Sequence, residues 1–237
     1  MVSMRSATFL LFLICSFVRS ELMGELTAEE DVFKAGLKLV GLEKGLHLLE
    51  DHPAEKDEVV IAIHGVATLG YEWVYPLNKL DTETNIVAFY RWAPVSTSCS
   101  TDEAEELIKA INNDLNQYSK IKLIGHSAGG FLVSNILDLI ETDRKIEAHI
   151  IASPLKGTKP LNELCGYSPL ENLKDNVVLY EWRTQKKLDA VYKLMPFDPQ
   201  IVEIEGSIVT RLPDKYKNNR LGHNWSISWV VDHISKK

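Results

Sequence analysis

The stretch "KIKLIGHSAGGFLVSNIL", Lys120 to Leu137, changes period in its middle. Ile121, Leu123 and Ile124 form a short apolar run of the kind that makes a buried strand, and Phe131 to Leu137 repeats apolar residues at helical spacing. Gly125, Ala128, Gly129 and Gly130 surround Ser127 at the change, so a serine is set in a tight bend with room around it. A strand that passes into a helix through such a bend is a unit of α/β architecture.

The rest of the chain repeats that unit. "EVVIAIHG" (Glu58 to Gly65) and "NIVAFYRW" (Asn85 to Trp92) are continuous β-branched and aromatic runs, as expected of strands covered on both faces. "EAHIIAS" and "NVVLYEW" read as further strands. "TDEAEELIKAINNDLNQY" is an acid-started amphipathic helix with Thr101 or Asp102 as its cap. Thr27 to Leu49 has leucines at helical spacing behind Glu29, Glu30 and Asp31, but Gly36, Gly41 and Gly45 interrupt it, and "GLHLLE" reads equally as a short strand. The alternation predicts a mostly parallel sheet with helices on both faces. In such sheets sites lie at the carboxyl ends of the strands, so the loops after His64, Trp92, Gly125, Ser153 and Trp182 are expected to share one rim.

A chain of 237 residues suits one domain with a sizeable core, and 45% hydrophobic with 25% charged residues excludes disordered and collagen-like classes. A formal net charge of -7 with no basic run gives no electrostatic support for a nucleic-acid or anionic-membrane partner. Residues 1–20, "MVSMRSATFLLFLICSFVRS", have Arg5 ahead of an apolar run from Ala7 to Val18, which is short for a membrane span and suits a signal peptide. Val18 and Ser20 are small enough to precede a cut that leaves Glu21 first, giving a mature domain over 21–237 with no integral span; the alternative is an uncleaved anchor. Bulky Ile14 before Cys15 argues against a lipoprotein. Export leaves Cys99 and Cys165, which an oxidising compartment permits to pair; the alternative is two separate buried thiols.

A G-x-S-x-G pentapeptide alone is weak evidence, but one between a strand and a helix is what a nucleophile elbow requires. On these residues the chain resembles the α/β-hydrolase family, specifically its small serine esterases and lipases, and "VVIAIHGVATLGYEW" is similar to the strand and His-Gly loop that such enzymes place beside the nucleophile. The resemblance runs from about Val59 to the C-terminus. It implies a compact fold without a long lid, with Ser127 as nucleophile and an oxyanion hole of the Val66 and Ala128 backbone N–H groups. His64 and His126 are then structural. "SPLKGTKP", Ser153 to Pro160, resembles a lipase loop after the following strand.

The family order of nucleophile, acid and histidine implies a base late in the chain, and His223 in "RLGHNWSISWVV" has the glycine loop and following helix for it. His149 falls within a strand, His233 in the terminal helix, and His47 and His52 precede the sheet. The acid is Asp189, in an Asp-x-Val arrangement, with Asp198 as rival and Asp214 in a charged loop. The implied chemistry is cleavage of carboxylic esters through an acyl-enzyme, needing no metal or organic cofactor; the histidines show no H-E-x-x-H spacing. Tyr71, Trp73, Trp92 and Tyr167 are candidates to line the acyl site, the alternative being that aromatics near strand ends simply fill the core. The expected partner is a small-molecule ester or lipid, with small or medium acyl groups favoured. Thioesterase, amidase or acyltransferase activity, or a binding protein on the same scaffold, remains open at this point.

Overall fold

In the computed structural model, residues 22–50, 56–94, 100–157, 162–163, 165 and 167–235 are described. The expected signal peptide, His52 and Cys99 lie outside these residues, and with Cys99 goes one half of the expected disulfide.

Seven strands form one sheet in the order β1-β3-β2-β4-β5-β6-β7. They are β1 (Gly45–Leu48), β2 (Glu58–Ile63), β3 (Asn85–Arg91), β4 (Lys120–His126), β5 (Lys145–Ile151), β6 (Val177–Arg183) and β7 (Ile208–Arg211). Only β1 runs antiparallel, against β3, while the pairs from β3 through β7 are parallel. The expected α/β architecture is therefore the observed one. A separate two-stranded hairpin, β8 (Lys215–Tyr216) and β9 (Asn219–Arg220), lies outside the sheet.

The continuous apolar runs have the cause that the sequence suggested. Val59, Ile61 and Ile63 of β2 enter one core with Leu107 and Ile111 of α4 (Thr101–Asn113) and with Leu132 and Ile136 of α5 (Ala128–Leu139). Val60 and Ala62, pointing the other way, enter a second core with Leu39 of α2 (Val32–Val40), Trp73 and Leu77 of α3 (Tyr71–Leu80) and Val230 of α6 (Trp225–Ile234). Successive side chains of a strand face opposite ways, so a strand between two helical layers must be apolar at every position.

The reading of Thr27 to Leu49 needs correction. Its helix spans only α2, begun by Asp31, whose carboxylate accepts from Phe33 N at 3.0 Å. A further helix, α1 (Leu22–Ala28), precedes it, and Gly45–Leu48 is the edge strand β1. The cap of α4 is Ser100, one residue earlier than expected. Among the described residues no helix is long and apolar enough to cross a membrane.

Candidate active site

Parallel pairing brings the ends of β2, β4, β5 and β6 to one edge, where Ile63 stands opposite Gly125, His126 opposite Ile151, and Ile151 opposite Trp182. Ser127 follows β4 directly, at φ 55 and ψ -121. That left-handed backbone turns the chain sharply into α5, and the Ser127 N–H donates to Ile151 O at 2.9 Å. The bend closes only because its neighbours lack side chains. A Cβ on Gly129 would lie 2.2 Å from Ile63 O, and one on Gly65 would lie 2.8 Å from the Ser127 Cβ. Gly129→Ala is therefore expected to cost about 3 kcal/mol through overpacking and lower Tm by roughly 6–12 °C in calorimetry. A Tm within 2 °C of the wild type, on the order of measurement scatter, would show that this contact relaxes freely.

His223 stands between β9 and α6, with its Nδ1 2.9 Å from Asp189 Oδ2. Asp189, reached through a turn after β6, is fully buried. Its Oδ2 also accepts from Thr184 Oγ1 at 2.6 Å, and its Oδ1 takes the N–H groups of Val191 at 2.9 Å and Tyr192 at 3.4 Å. Burial alone would raise the pKa of such a carboxyl; the bonds from His223, Thr184 and Val191 outweigh it and hold the pKa below the usual carboxylate value.

No protein-family model matches the sequence, nor does any curated protein sequence. Solved structures do resemble the fold. A propionate-bound esterase from the Planctomycetes species Thermogutta terrifontis superposes with a TM-score of 0.53 at 12% identity, over 81% of this chain and 87% of its own. For a putative α/β hydrolase family protein from Desulfitobacterium hafniense the figures are 0.52, 12%, 81% and 97%. A type II thioesterase from the yersiniabactin biosynthetic pathway gives 0.50, 10%, 81% and 95%. The chain has the α/β-hydrolase fold.

Within this hydrolase fold the other expected residues separate. Asp198 does not meet His223: its Oδ2 pairs with Arg211 Nη1 at 3.0 Å, and its Oδ1 takes the Gln200 N–H at 3.2 Å. Asp214 is exposed, 3.8 Å from Lys187 Nζ. His149 is fixed in β5 by Glu147 at 2.8 Å and by the Trp182 indole N–H at 3.1 Å. His47 and His233 meet the carbonyls of Glu43 and Trp229. His64 donates from Nδ1 to Gly65 O at 2.8 Å, and its carbonyl accepts from Trp92 Nε1 at 2.9 Å. Burial lowers its pKa to about 4, so it shapes the loop as a neutral ring. The chain leaves Gly65 for Val66 beside Ser127, while Ala128 opens α5. Among the described residues no group of three His, Cys, Asp or Glu side chains could hold a metal ion.

His126 has a specific structural part. Its Nε2 lies 3.2 Å from the His223 carbonyl oxygen, which can only accept, so the ring carries its proton on Nε2. The two imidazoles lie 4.6 Å apart between centroids. Burial above all, then the neighbouring His223, keeps the His126 pKa well below the usual histidine value.

Trp73 and Trp92, expected as lining candidates, belong to the core at 0% and 2% exposure. Tyr167 instead packs on Phe131 with centroids 4.1 Å apart and donates to Leu155 O at 2.7 Å. Tyr192 was not legible as a site residue. Its hydroxyl donates to Ala152 O at 2.6 Å, and its ring meets His223 edge-on at 5.3 Å. The available signal was its place three residues after Asp189, within one turn of the acid.

Proposed function

We propose that the protein is a serine hydrolase acting on carboxylic esters, with Ser127 as nucleophile, His223 as base and Asp189 as the acid that orients it. The observation that supports this most is the buried Asp189 carboxylate, saturated by donors and held 2.9 Å from His223 Nδ1. An ionised group there keeps the proton on Nδ1 and leaves Nε2 as the acceptor. Ser127 Oγ then attacks the acyl carbon and its proton passes to Nε2. The carbonyl oxygen becomes an oxyanion, for which the Val66 and Ala128 N–H groups are the donors. Collapse breaks the bond to the alcohol oxygen, which takes the proton from His223. A water repeats the sequence on the acyl-enzyme and frees the acid. A thioester reacts by the same steps, and the thioesterase among the similar structures favours that as the second reading.

We read residues 1–20 as an export signal and Cys99 with Cys165 as a pair that braces the rim. The primary test is labelling of the purified protein by a fluorophosphonate probe. A band in the wild type that disappears in Ser127→Ala is expected. A folded wild type that takes no label would overturn the reading.

A further inference from the structure

From Lys186 to Phe197 the sequence reads "KKLDAVYKLMPF", with three lysines and a single acid, and that acid is the fully buried Asp189. In a chain of formal charge -7, the solvent-facing charge of this segment is therefore all positive. Apolar side chains stand among the lysines: Val191 is 53% exposed, Leu194 88% and Phe197 38%. Single exposed apolar residues are ordinary, but three so close together with basic groups between them form a patch.

The patch follows from the way the segment is tied down. Asp189 Oδ1 takes the N–H groups of Val191 and Tyr192, and the Asp189 carbonyl takes that of Lys193 at 2.9 Å. Tyr192 turns inward, with its hydroxyl on Ala152 O, and its carbonyl accepts from Met195 N at 2.9 Å. With Tyr192 in the interior, its neighbours Val191, Lys193 and Leu194 face water. The far end is fixed as well. The Lys156 N–H donates to Pro199 O at 2.9 Å, and Lys156 Nζ lies 5.5 Å from the Phe197 ring centroid. Lys186 Nζ reaches Lys193 O at 3.5 Å, which folds the lysines of the segment toward each other. Lys187 is 3.8 Å from Asp214, and Asp198 is paired with Arg211 at 3.0 Å. Among the described residues, no carboxylate lies within 4.0 Å of Lys156, Lys186 or Lys193. Exposed acids return only at Glu203 and Glu205, beyond the patch.

We propose that this patch docks on an anionic lipid surface. Leu194 protrudes almost wholly into solvent, which suits an interface that yields around a side chain; a rigid protein partner would need a matching pocket. At a lipid surface the apolar side chains sink to the boundary of headgroups and acyl chains. The lysines lay their stems along it and keep their ammonium groups at the anionic headgroups. The whole-chain charge gives no sign of such a partner because it averages over every face, and the local sign emerges only once Asp189 is known to be buried. The inference is independent of the hydrolase reading and uses no step of its chemistry. The same turn holds Asp189 against His223, so the docking surface and the candidate active site share one segment.

The test is co-sedimentation of the full chain with vesicles of phosphatidylcholine alone or with about 30% phosphatidylserine, at about 0.1 and 0.5 M salt. Binding to the serine-containing vesicles is expected, weaker at the higher salt and weaker on phosphatidylcholine alone. Leu194→Asp is expected to lower that affinity about tenfold and Leu194→Met to keep it. The triple variant Lys156→Gln, Lys186→Gln, Lys193→Gln is expected to lower it about a hundredfold, at about fivefold for each lysine. No binding to the anionic vesicles, or binding that these variants leave unchanged because it comes from elsewhere in the chain, such as residues 1–20, would overturn the proposal. So would a dimer in sedimentation velocity that Leu194→Asp dissolves, which would assign the patch to a second copy of the chain.

Discussion

Asp189→Asn is expected to lower kcat on p-nitrophenyl acetate by about 10⁴-fold, whereas Asp198→Asn is expected to stay within about threefold of the wild type. The two residues stand nine positions apart in the sequence and begin alike, but only Asp189 reaches His223. An amide at 189 keeps the shape and loses the charge. Its NH2 group must face one of the donors now gathered there, and where it faces His223 it forces Nδ1 to accept. Nε2 then carries the proton and cannot receive the one from Ser127. Steady-state rates of both variants decide it, and equal losses would reassign the acid. A pH signature accompanies the exchange. The folded pKa of Asp189 is depressed below 3.8, so its contribution to stability is present above that value and is lost as pH falls through the folded one. Urea midpoints of the wild type should therefore fall more steeply below about pH 4 than those of Asp189→Asn.

Ser127→Gly is expected to lose about 10⁶-fold in kcat and to gain stability in the same step. At φ 55 and ψ -121 a serine occupies backbone that non-glycine residues avoid, at a cost of about 1–3 kcal/mol. Glycine relieves that strain, offset partly by its greater freedom in the unfolded chain, so a net Tm rise of roughly 2–4 °C follows. Ser127→Ala loses the same turnover but keeps the strained Cβ and shows no such rise. Paired calorimetry and rate measurements on the two variants separate the effects. Equal Tm values would show that the bend is unstrained.

What the sequence made legible follows from how much of each element's cause is local. The strands β2 to β6 carry their burial in their own composition, because both faces are covered. The edge elements do not. β1 is half-buried along its length, and β7 is largely exposed, so neither has a pattern that separates it from a loop. Gly36 counted against a helix in the sequence, yet a Cβ there would lie 2.2 Å from Tyr71 N, a contact made by a residue thirty-five positions away. The serine was legible because its elbow is a local motif. The acid was left between two candidates for a physical reason: Asp189 and Asp198 both accept the N–H two residues on, from Val191 and Gln200, so their local turn chemistry is the same. They differ most in the partner of the second oxygen, His223 with Thr184 in one case and Arg211 in the other, and those partners are set by the fold. Trp73 and Trp92, near strand ends, read either as lining or as core, and burial places both in the core.

The contact between His126 and His223 bears on how the site would survive repeated turnover. In each cycle the imidazole of His223 would gain and lose a positive charge, and an anchor attached to that ring would be loosened and tightened in step. His126 grips the main chain of His223 instead, through a carbonyl that is not part of the ring. Kept neutral by its burial, it also brings no second cation beside that ring. Two histidines lie tilted against each other at the rim, and in the proposed cycle one would carry the charge while the other holds still.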